Sequence, residues 1–155
     1  MAGIELMGMA EPAGEWYERR KRNPKGMGEV SQAAFLLRAR GMGLAVAIPW
    51  GDSERCDFVV WAKSGRMRRV QVKGTGRLYR RGYEVQAVST TRDGRKKRYT
   101  AREIDVLAAY VQPVEAWYLV PIAAVGRRKS LRLYPGIASK SAEWERWLEA
   151  WEELE

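Results

Sequence analysis

Three side chains of different chemistry lie within a short stretch near the middle of the sequence: the carboxylate Asp57, the amide Gln71 and the amine Lys73. Carboxylate and amide oxygens are ligands that Mg²⁺ prefers. An amine can orient a water molecule and offset negative charge on a phosphate. Together these groups could bind a hard metal ion and activate a water molecule. Taken without Gln71, Asp57 and Lys73 also fit a surface ion pair beside a strand.

Asp57 begins one predicted strand and Lys73 ends the next. The turn between these two strands decides which of the three side chains share a face. Alternation within the strand that ends at Lys73 places its valines on one face and Gln71 with Lys73 on the other. A two-residue turn at Ser64-Gly65 would pair Asp57 with Val72 and drive the carboxylate into the apolar face. A three-residue turn, or one bulge, would place Asp57 beside Gln71 and Lys73. We expect this second register, because an unpaired charge in an apolar face is costly.

The surrounding chain has the pattern of one helix followed by strands. Helical spacing of apolar residues predicts a helix from Gly28 to Arg40, ended by two glycines. Thr100 and Glu103 have the spacing of a helix capping box, which gives Glu103 a structural role. β-Branched and aromatic runs between turn residues predict consecutive strands of a sheet, at Leu44–Pro49, Asp57–Lys63, Met67–Lys73, Tyr83–Thr90, Leu107–Gln112, Ala116–Ile122 and Ser130–Tyr134.

The two ends of the chain differ in character. Residues 1–25 form a basic arm, with a short helix expected around Trp16, that the Asn23-Pro24-Lys25-Gly26 break separates from a domain at 26–155. At the other end, Ser141 is placed to cap a helix over 141–153. Trp144, Trp147, Leu148 and Trp151 recur on one stripe of that helix. The stripe packs on the sheet of the same chain or forms a subunit contact.

Composition narrows both the architecture and the chemistry. A chain of 155 residues is long enough for one compact core and too short for two ordinary domains. It contains no His and a single Cys, Cys56, which excludes zinc fingers, iron–sulfur clusters, disulfide scaffolds and His-based mechanisms. Any catalysis must use carboxylates, amides, lysine, hydroxyls or a hard metal bound by oxygen, with Mg²⁺ the natural candidate.

The net charge of +9 is unevenly distributed. Residues 141–155 contain six Glu and one Arg, a charge of −5, which leaves +14 on residues 1–140. This contrast indicates a surface that faces a polyanion, although solvated basic loops would give the same composition. With no apolar run long enough for a membrane span and no secretory pattern at the N-terminus, we expect a cytoplasmic, nucleoid-associated protein. The candidate DNA contacts are Arg69, Arg77, Arg80, Arg81, Arg95, Lys96, Lys97 and Arg98.

In their order along the chain, these residues resemble the PD-(D/E)xK nucleases, in which a helix with an acidic residue precedes the active-site strand hairpin. The order here is Glu29, Asp57 and Gln71-Val72-Lys73. The similarity is greatest to the intron-encoded homing endonucleases, in which Gln takes the second acidic place, and it extends from about Gly28 to Tyr134. Cys56 stands where the family pattern has a Pro, which holds a turn and contacts no metal.

The resemblance implies an α/β (α+β) fold of the restriction-endonuclease type, with a mixed central sheet flanked by helices. It implies a metal-dependent DNA endonuclease with Glu29, Asp57, Gln71 and Lys73 as catalytic residues. Glu29, Asp57 and Gln71 would be the ligands of Mg²⁺, for which Mn²⁺ may substitute. Glu29 could instead serve only to stabilise a helix N-terminus. The expected partner is double-stranded DNA, cut by a homodimer or homotetramer.

Two other functions are compatible with the same residues. A structure-specific nuclease, such as a junction resolvase or a mismatch nickase, would cut branched or mispaired DNA in preference to plain duplex. A catalytically silent DNA-binding protein with a nuclease fold would bind DNA equally well without metal and never cut it, and the uncharged Gln71 makes this alternative plausible. The target sequence and the overhang are not encoded in any motif of the chain.

Overall fold

A computed structural model describes residues 23–51 and 53–155. The basic arm up to residue 22, with the short helix expected around Trp16, lies outside the described residues. The first described element is helix α1, Pro24–Gly41. Asn23 caps it by accepting a hydrogen bond from the Gly26 amide at 3.0 Å, and proline suits its first turn. The helix thus begins four residues earlier than predicted, because the Asn-Pro break is a helix start rather than a boundary.

Ten strands follow α1. Five form the central sheet, in the order β1-β2-β3-β8-β9. Strands β3 and β8 are parallel and the other neighbours are antiparallel, so the sheet is mixed. The bounds in this sheet are β1 Ala45–Ala47, β2 Phe58–Trp61, β3 Met67–Thr75, β8 Val106–Val111 and β9 Ala116–Pro121.

The pairing of β2 with β3 confirms the expected register. Phe58 lies opposite Val70 and Trp61 opposite Met67. The connecting loop, residues 62–66, is longer than the predicted turn but has the odd length that the argument required, and it turns at Gly65 with φ +78°. Apolar side chains of both strands therefore share one face.

The two faces of the central sheet carry separate apolar cores. On one face, Phe35 and Ala39 of α1 pack against the valines of β2 and β3. On the other face, Leu107 and Val120 meet apolar residues of a second layer. That layer consists of small sheets and the short helix α2, Ile122–Val125, rather than of a second long helix.

The second layer contains two small sheets that the sequence did not separate. One has the order β10-β5-β4 and the other pairs β6 with β7. The predicted strand Tyr83–Thr90 is interrupted at Ala87, whose amide bonds the Lys129 carbonyl at 2.8 Å. The prediction of one continuous strand there was wrong. The bounds are β4 Leu78–Tyr79, β5 Gly82–Gln86, β6 Val88–Thr90, β7 Lys96–Arg98 and β10 Ser130–Leu133.

The predicted C-terminal helix over 141–153 is also wrong. The segment forms two single turns, Glu145–Trp147 and Trp151–Leu154, separated by an extended Leu148 and by Glu149 at φ +52°. The Glu149 amide bonds the Trp117 carbonyl at 2.7 Å. The Glu149 carboxylate accepts the Trp117 amide at 2.8 Å. Pairing with the edge of β9 thus replaces the hydrogen bonds of a helix.

The tryptophans of this segment consequently do not form one stripe. Trp151 is buried in the core on the α1 side, and Trp144 is buried in the core on the opposite side. Both contacts lie within the same chain, as the first of the two expected arrangements requires.

The capping box at Thr100 has the expected bonds without the expected helix. The Thr100 amide donates to the Glu103 carboxylate at 2.9 Å, and a single turn follows before the chain enters β8. In residues 23–51 and 53–155, no helix is both long and apolar enough to cross a membrane.

Candidate active site

Asp57 lies at the end of the sheet where β2 begins. Its amide donates to the Val70 carbonyl at 2.9 Å, which continues the β2–β3 pairing by one residue. One carboxylate oxygen, Oδ2, accepts the Val72 amide at 2.8 Å and the Gln71 side-chain Nε2 at 2.6 Å. The structure thus joins Asp57 to Gln71, as the register argument predicted.

The environment of Asp57 disfavours its charge. Burial raises the pKa of Asp57 above its ordinary value, and the Val72 amide, the positive charge of Lys73 and hydrogen bonds from Gln32 and Gln71 oppose that rise. The ionised form of such a carboxylate is stabilised when a further positive charge binds beside it. The side chain therefore has the electrostatic character of a cation ligand.

Lys73 occupies the same side of β3 as Gln71. Burial lowers the pKa of Lys73, the charge of Asp57 raises it, and the cations Lys96 and Arg55 lower it further. Its Nζ lies 5.6 Å from the centre of the Tyr99 ring. Lys73 is thus a half-buried amine within the electrostatic field of Asp57, and its pKa is displaced toward the range useful for proton transfer.

Glu29 is placed less directly. It is exposed on α1, one turn before Gln32, whose side chain lowers the pKa of Asp57. Residues three apart on a helix share a face, so Glu29 lies on the same side of α1 as Gln32. No hydrogen bond or ion pair joins Glu29 to Asp57, Gln71 or Lys73 in the structure.

A polar contact fixes the N-terminal half of α1 over β3. Gln112 donates to Ser31 Oγ at 2.9 Å and to the Met27 carbonyl at 3.2 Å. Gly74 lies beneath: a Cβ built on it would come within 2.0 Å of Ser31 Oγ. Only glycine permits this close approach, which holds the turns of α1 that bear Glu29 and Gln32 against β3, the middle strand of the central sheet.

The sequence argument assigned no role in the site to three residues: Gln32, Arg55 and Tyr99. Tyr99 is buried, and burial raises its pKa to about 12, so it is a neutral ring at physiological pH. Arg55 stacks over that ring at 4.9 Å. Only Arg55 could have been found from the sequence, because it lies two residues before Asp57. Gln32 and Tyr99 reach the site through packing of α1 and of the turn before β8.

The candidate DNA contacts fall into three groups. The guanidinium of Arg69 is held within the chain by the Asp105 carboxylate and by the carbonyls of Ala101 and Arg102. Others keep an exposed cationic head beside an intrachain partner: Lys96 bonds Thr90, Lys97 bonds Glu103, Arg98 bonds the Arg127 carbonyl and Arg95 pairs with Asp93. The remaining three, Arg77, Arg80 and Arg81, are exposed on the chain around the β4–β5 hairpin.

The β4–β5 hairpin places two arginines at its tip. Arg80 and Arg81 adopt φ of +45° and +69°, a conformation that suits Gly or Asn and is strained for other residues. Arg132 and Lys140, which the sequence did not single out, join them around a cavity of about 390 Å³. This end of the molecule is therefore strongly cationic.

The chemistry of the donor set fits a hard divalent cation. Within residues 23–51 and 53–155, no three or more His, Cys, Asp or Glu side chains cluster in a way that could hold a metal ion. The set at the site is instead mixed, with the carboxylate of Asp57 in contact with the amide of Gln71. The two ends of an amide are distinguished only by their bonds. Turning the Gln71 amide over would direct its oxygen toward a cation shared with Asp57.

A mixed sheet whose strand hairpin presents an acid, an amide and a lysine beside a helix is the restriction-endonuclease-like arrangement. The family of PD-(D/E)XK endonucleases matches residues 22–154 of the sequence, and the chain belongs to that family. It is accordingly an endonuclease that acts on DNA.

A solved structure supports the same placement. The chain is similar to a bacterial homing endonuclease, I-Ssp6803I, with a TM-score of 0.70 and 25% sequence identity. The similarity covers 84% of this chain and 91% of the homing endonuclease chain. Among curated proteins, none matches the sequence.

Proposed function

We propose that the protein is a Mg²⁺-dependent endonuclease that hydrolyses phosphodiester bonds in double-stranded DNA, as homing and restriction endonucleases do. The observation that carries this proposal is the contact of Asp57 with Gln71 on the side of the sheet that also holds Lys73. This is the combination of a cation ligand with a proton-handling group that phosphodiester hydrolysis requires.

Asp57 and Gln71 are the proposed Mg²⁺ ligands, through a carboxylate and an amide oxygen, with Glu29 completing the set from α1. When bound, Mg²⁺ supplies charge neutralisation at the phosphate and lowers the pKa of water, and Mn²⁺ has the same oxygen preference. Because Gln71 brings no charge, we expect weaker metal binding than at a site with three carboxylates.

Lys73 is the proposed proton-handling residue. Its amine orients the attacking water, accepts or steers the proton that the water loses, and offsets charge on the phosphate oxygens. One water adds across the ester: its oxygen bonds to phosphorus, one P–O bond breaks, and the leaving oxygen takes a proton. Burial of Lys73 keeps bulk water from competing for these contacts.

The exposed cations provide the proposed DNA surface. Arg77, Arg80 and Arg81 extend from the β4–β5 hairpin, and residues 95–98 extend from the β6–β7 hairpin. They suit phosphate contacts along a duplex. We do not include Arg69 in this surface, because its donors are used within the chain. A homodimer or homotetramer would bring two sites to two strands, and DNA in a cytoplasmic nucleoid would be the substrate.

The test uses purified protein with three DNA pools: a plasmid library with random inserts, a four-way junction and a mismatched duplex. Each is incubated with Mg²⁺, with Mn²⁺ and with chelator, and light scattering reports the oligomeric state. We expect metal-dependent double-strand breaks in the plasmid pool. Cutting of the junction or mismatch alone would replace the proposal with a structure-specific nuclease. Binding that is equal with and without metal, and with no cutting of any pool, would identify a silent DNA-binding protein.

A further inference from the structure

Arg55 and Lys73 both form cation–π contacts with the ring of Tyr99. The guanidinium carbon of Arg55 lies 4.9 Å from the ring centroid, and Lys73 Nζ lies 5.6 Å from the same centroid. A ring face attracts cations at these distances. Tyr99 is 7% exposed. The buried ring therefore contacts both cations.

Glu103 holds the other side of Arg55. Arg55 Nε lies 3.3 Å from Glu103 Oε1, and Lys97 Nζ lies 3.0 Å from the same oxygen. The remaining Glu103 oxygen accepts the Thr100 amide. One carboxylate is thus shared by two cations and a backbone donor. The cations Arg55, Lys73 and Lys97 outnumber the carboxylates Asp57 and Glu103. The net charge of this group is therefore positive.

Two nitrogens of the Arg55 guanidinium, Nε and Nη2, are enclosed and have no acceptor in hydrogen-bond geometry among residues 23–51 and 53–155. For Nε the ion pair with Glu103 at 3.3 Å is the contact present, and the side chain as a whole is 26% exposed. Enclosed donors without acceptors are uncommon and destabilising. Glu103 therefore does not saturate the guanidinium, and the exposed part of the side chain is suited to donate to an oxygen anion such as a phosphate.

We propose that Arg55 is a catalytic residue that donates to a non-bridging oxygen of the phosphate being cleaved, with Tyr99 and Glu103 as the residues that position it. The proposal rests on the nuclease function proposed above. Arg55 precedes Asp57 by two residues, and its guanidinium contacts the same Tyr99 ring as Lys73. A phosphate in contact with Asp57 and Lys73 would therefore be close to the guanidinium. The interaction strengthens as charge develops on the oxygen.

The experiment compares Arg55→Ala and Arg55→Lys with a matched control, Arg128→Ala. Arg128 also stacks on an aromatic ring, Trp144 at 4.9 Å, and also pairs with a glutamate, Glu143 at 3.0 Å. Cleavage of the random-insert plasmid library is followed with protein in excess, which separates the saturated rate from the protein concentration that gives half of it. Thermal unfolding is recorded for each variant.

We expect Arg55→Ala to lower the saturated rate about a hundredfold, the scale of losing one preorganised donor. Arg55→Lys should lose about tenfold, because lysine keeps the charge and lacks the fork. Arg128→Ala should cut like the unmodified protein. Millimolar guanidinium chloride, at ionic strength held constant with KCl, should restore part of the Arg55→Ala rate and leave the Arg128→Ala rate unchanged.

Several results overturn the inference. Unmodified protein that cuts none of the DNA pools removes the proposed function, and this inference falls with it. Active unmodified protein together with an Arg55→Ala rate equal to that of Arg128→Ala removes the role of Arg55 alone. A lost rate that follows a lowered unfolding temperature and is not restored by guanidinium shows a purely structural role. Where Arg55→Ala fails to fold, an Arg55→Lys rate equal to that of the unmodified protein has the same effect.

Discussion

At the scale of single residues, the chemistry depends on Asp57, whose negative charge is only partly balanced by its neighbours. Asp57 is buried enough that its pKa rises, yet the hydrogen bonds to its carboxylate come from one backbone amide and the neutral amide of Gln71. Neutral donors stabilise a carboxylate less than a full positive charge does. A bound cation would therefore stabilise the Asp57 carboxylate strongly. The two predictions that follow concern the residues beside it.

Replacing Lys73 with alanine should abolish metal-dependent cleavage while DNA binding survives. The amine acts on the transition state and contributes little to ground-state contacts, so the saturated rate should fall about a hundredfold or more. The measurements are cleavage of the plasmid library and duplex binding with chelator present. Lys63→Ala, in the exposed loop at the far end of the hairpin, is the control and should cut normally. Equal rates for the two variants would contradict the role of Lys73.

Replacing Gln71 with glutamate should tighten metal binding. A second carboxylate in contact with Asp57 adds charge for a cation and repels Asp57 when none is bound. Thermal unfolding should therefore show a variant less stable than the unmodified protein in chelator and stabilised by lower concentrations of Mg²⁺. Gln86→Glu is the control, because Gln86 also bonds a carboxylate, that of Glu84, but on the surface. The same Mg²⁺ response in both variants would argue against Gln71 as a ligand.

The positions of Asp57 and Gln71 could be predicted because strand alternation has only two outcomes. An odd loop length was the one way to keep the valines of β2 and β3 together, and the structure has it. Gln32 and Tyr99 could not be predicted, because they reach Asp57 and Lys73 from elements distant in sequence. Their spacing along the chain contains no information about which face of the sheet each element covers.

At the scale of elements, the site depends on how closely α1 approaches β3. Gly74 allows Ser31 to lie where a side chain would otherwise be, and Gln112 bonds both Ser31 and the preceding turn of the helix. These contacts hold the part of α1 that bears Glu29 against β3, the middle strand of the sheet. Apolar spacing predicts which face of the helix is buried, but not how far that face lies from the strand.

Replacing Gly74 with alanine should destabilise the fold by about 1–3 kcal/mol, the usual effect of overpacking. The added methyl group would meet Ser31 Oγ and move α1 away from β3, so cleavage should fall as well. Gly28→Ala is the matched control, since nothing lies within 4 Å of a Cβ built there, and alanine favours a helix. Chemical denaturation measures both variants. An unchanged stability of Gly74→Ala would show that α1 has more freedom than the contact indicates.

Replacing Arg80 with asparagine and Arg81 with glycine should raise stability and weaken DNA binding. Both arginines are in the left-handed region, which costs about 1 kcal/mol or more each, and Asn-Gly suits such a two-residue turn. Opposite signs for the two effects would show that the strained turn is retained for its charge. Thermal unfolding and duplex affinity are the measurements. Affinity equal to that of the unmodified protein would exclude this hairpin from the DNA surface.

The C-terminal segment shows why element prediction failed where it did. Trp144, Trp147 and Trp151 have helical spacing, but two of them fill cores on opposite sides of the sheet. Hydrogen bonds from Glu149 to the edge of β9 outweigh the local preference for a helix. Spacing reports only which residues are apolar. A segment that passes around a sheet edge can produce the same spacing as a helix.

At the scale of the whole molecule, charge is distributed by region. The last fifteen residues carry −5 and the rest carries +14, and the two basic hairpins extend from the layer that covers the site's side of the sheet. Such an asymmetry attracts a polyanion over distances set by the ionic strength.

DNA binding should therefore be strongly salt-dependent. With about six phosphate contacts, affinity should fall about a thousandfold between 50 and 200 mM salt. The measurement is duplex affinity in chelator, so that divalent ions do not compete. A flat response would exclude the basic surface as the DNA-binding face, whatever the outcome of the cleavage assays.

The contact between Glu149 and β9 has a consequence for aggregation. An uncovered edge strand offers its backbone to strands of other molecules. The long edge of the central sheet, β9, is bonded by Glu149 and bridged at Tyr118 by Leu148. The opposite edge, β1, is three residues long. Within the central sheet, little backbone remains for pairing between molecules, so copies that assemble on DNA would associate through side chains and could separate without breaking a shared sheet.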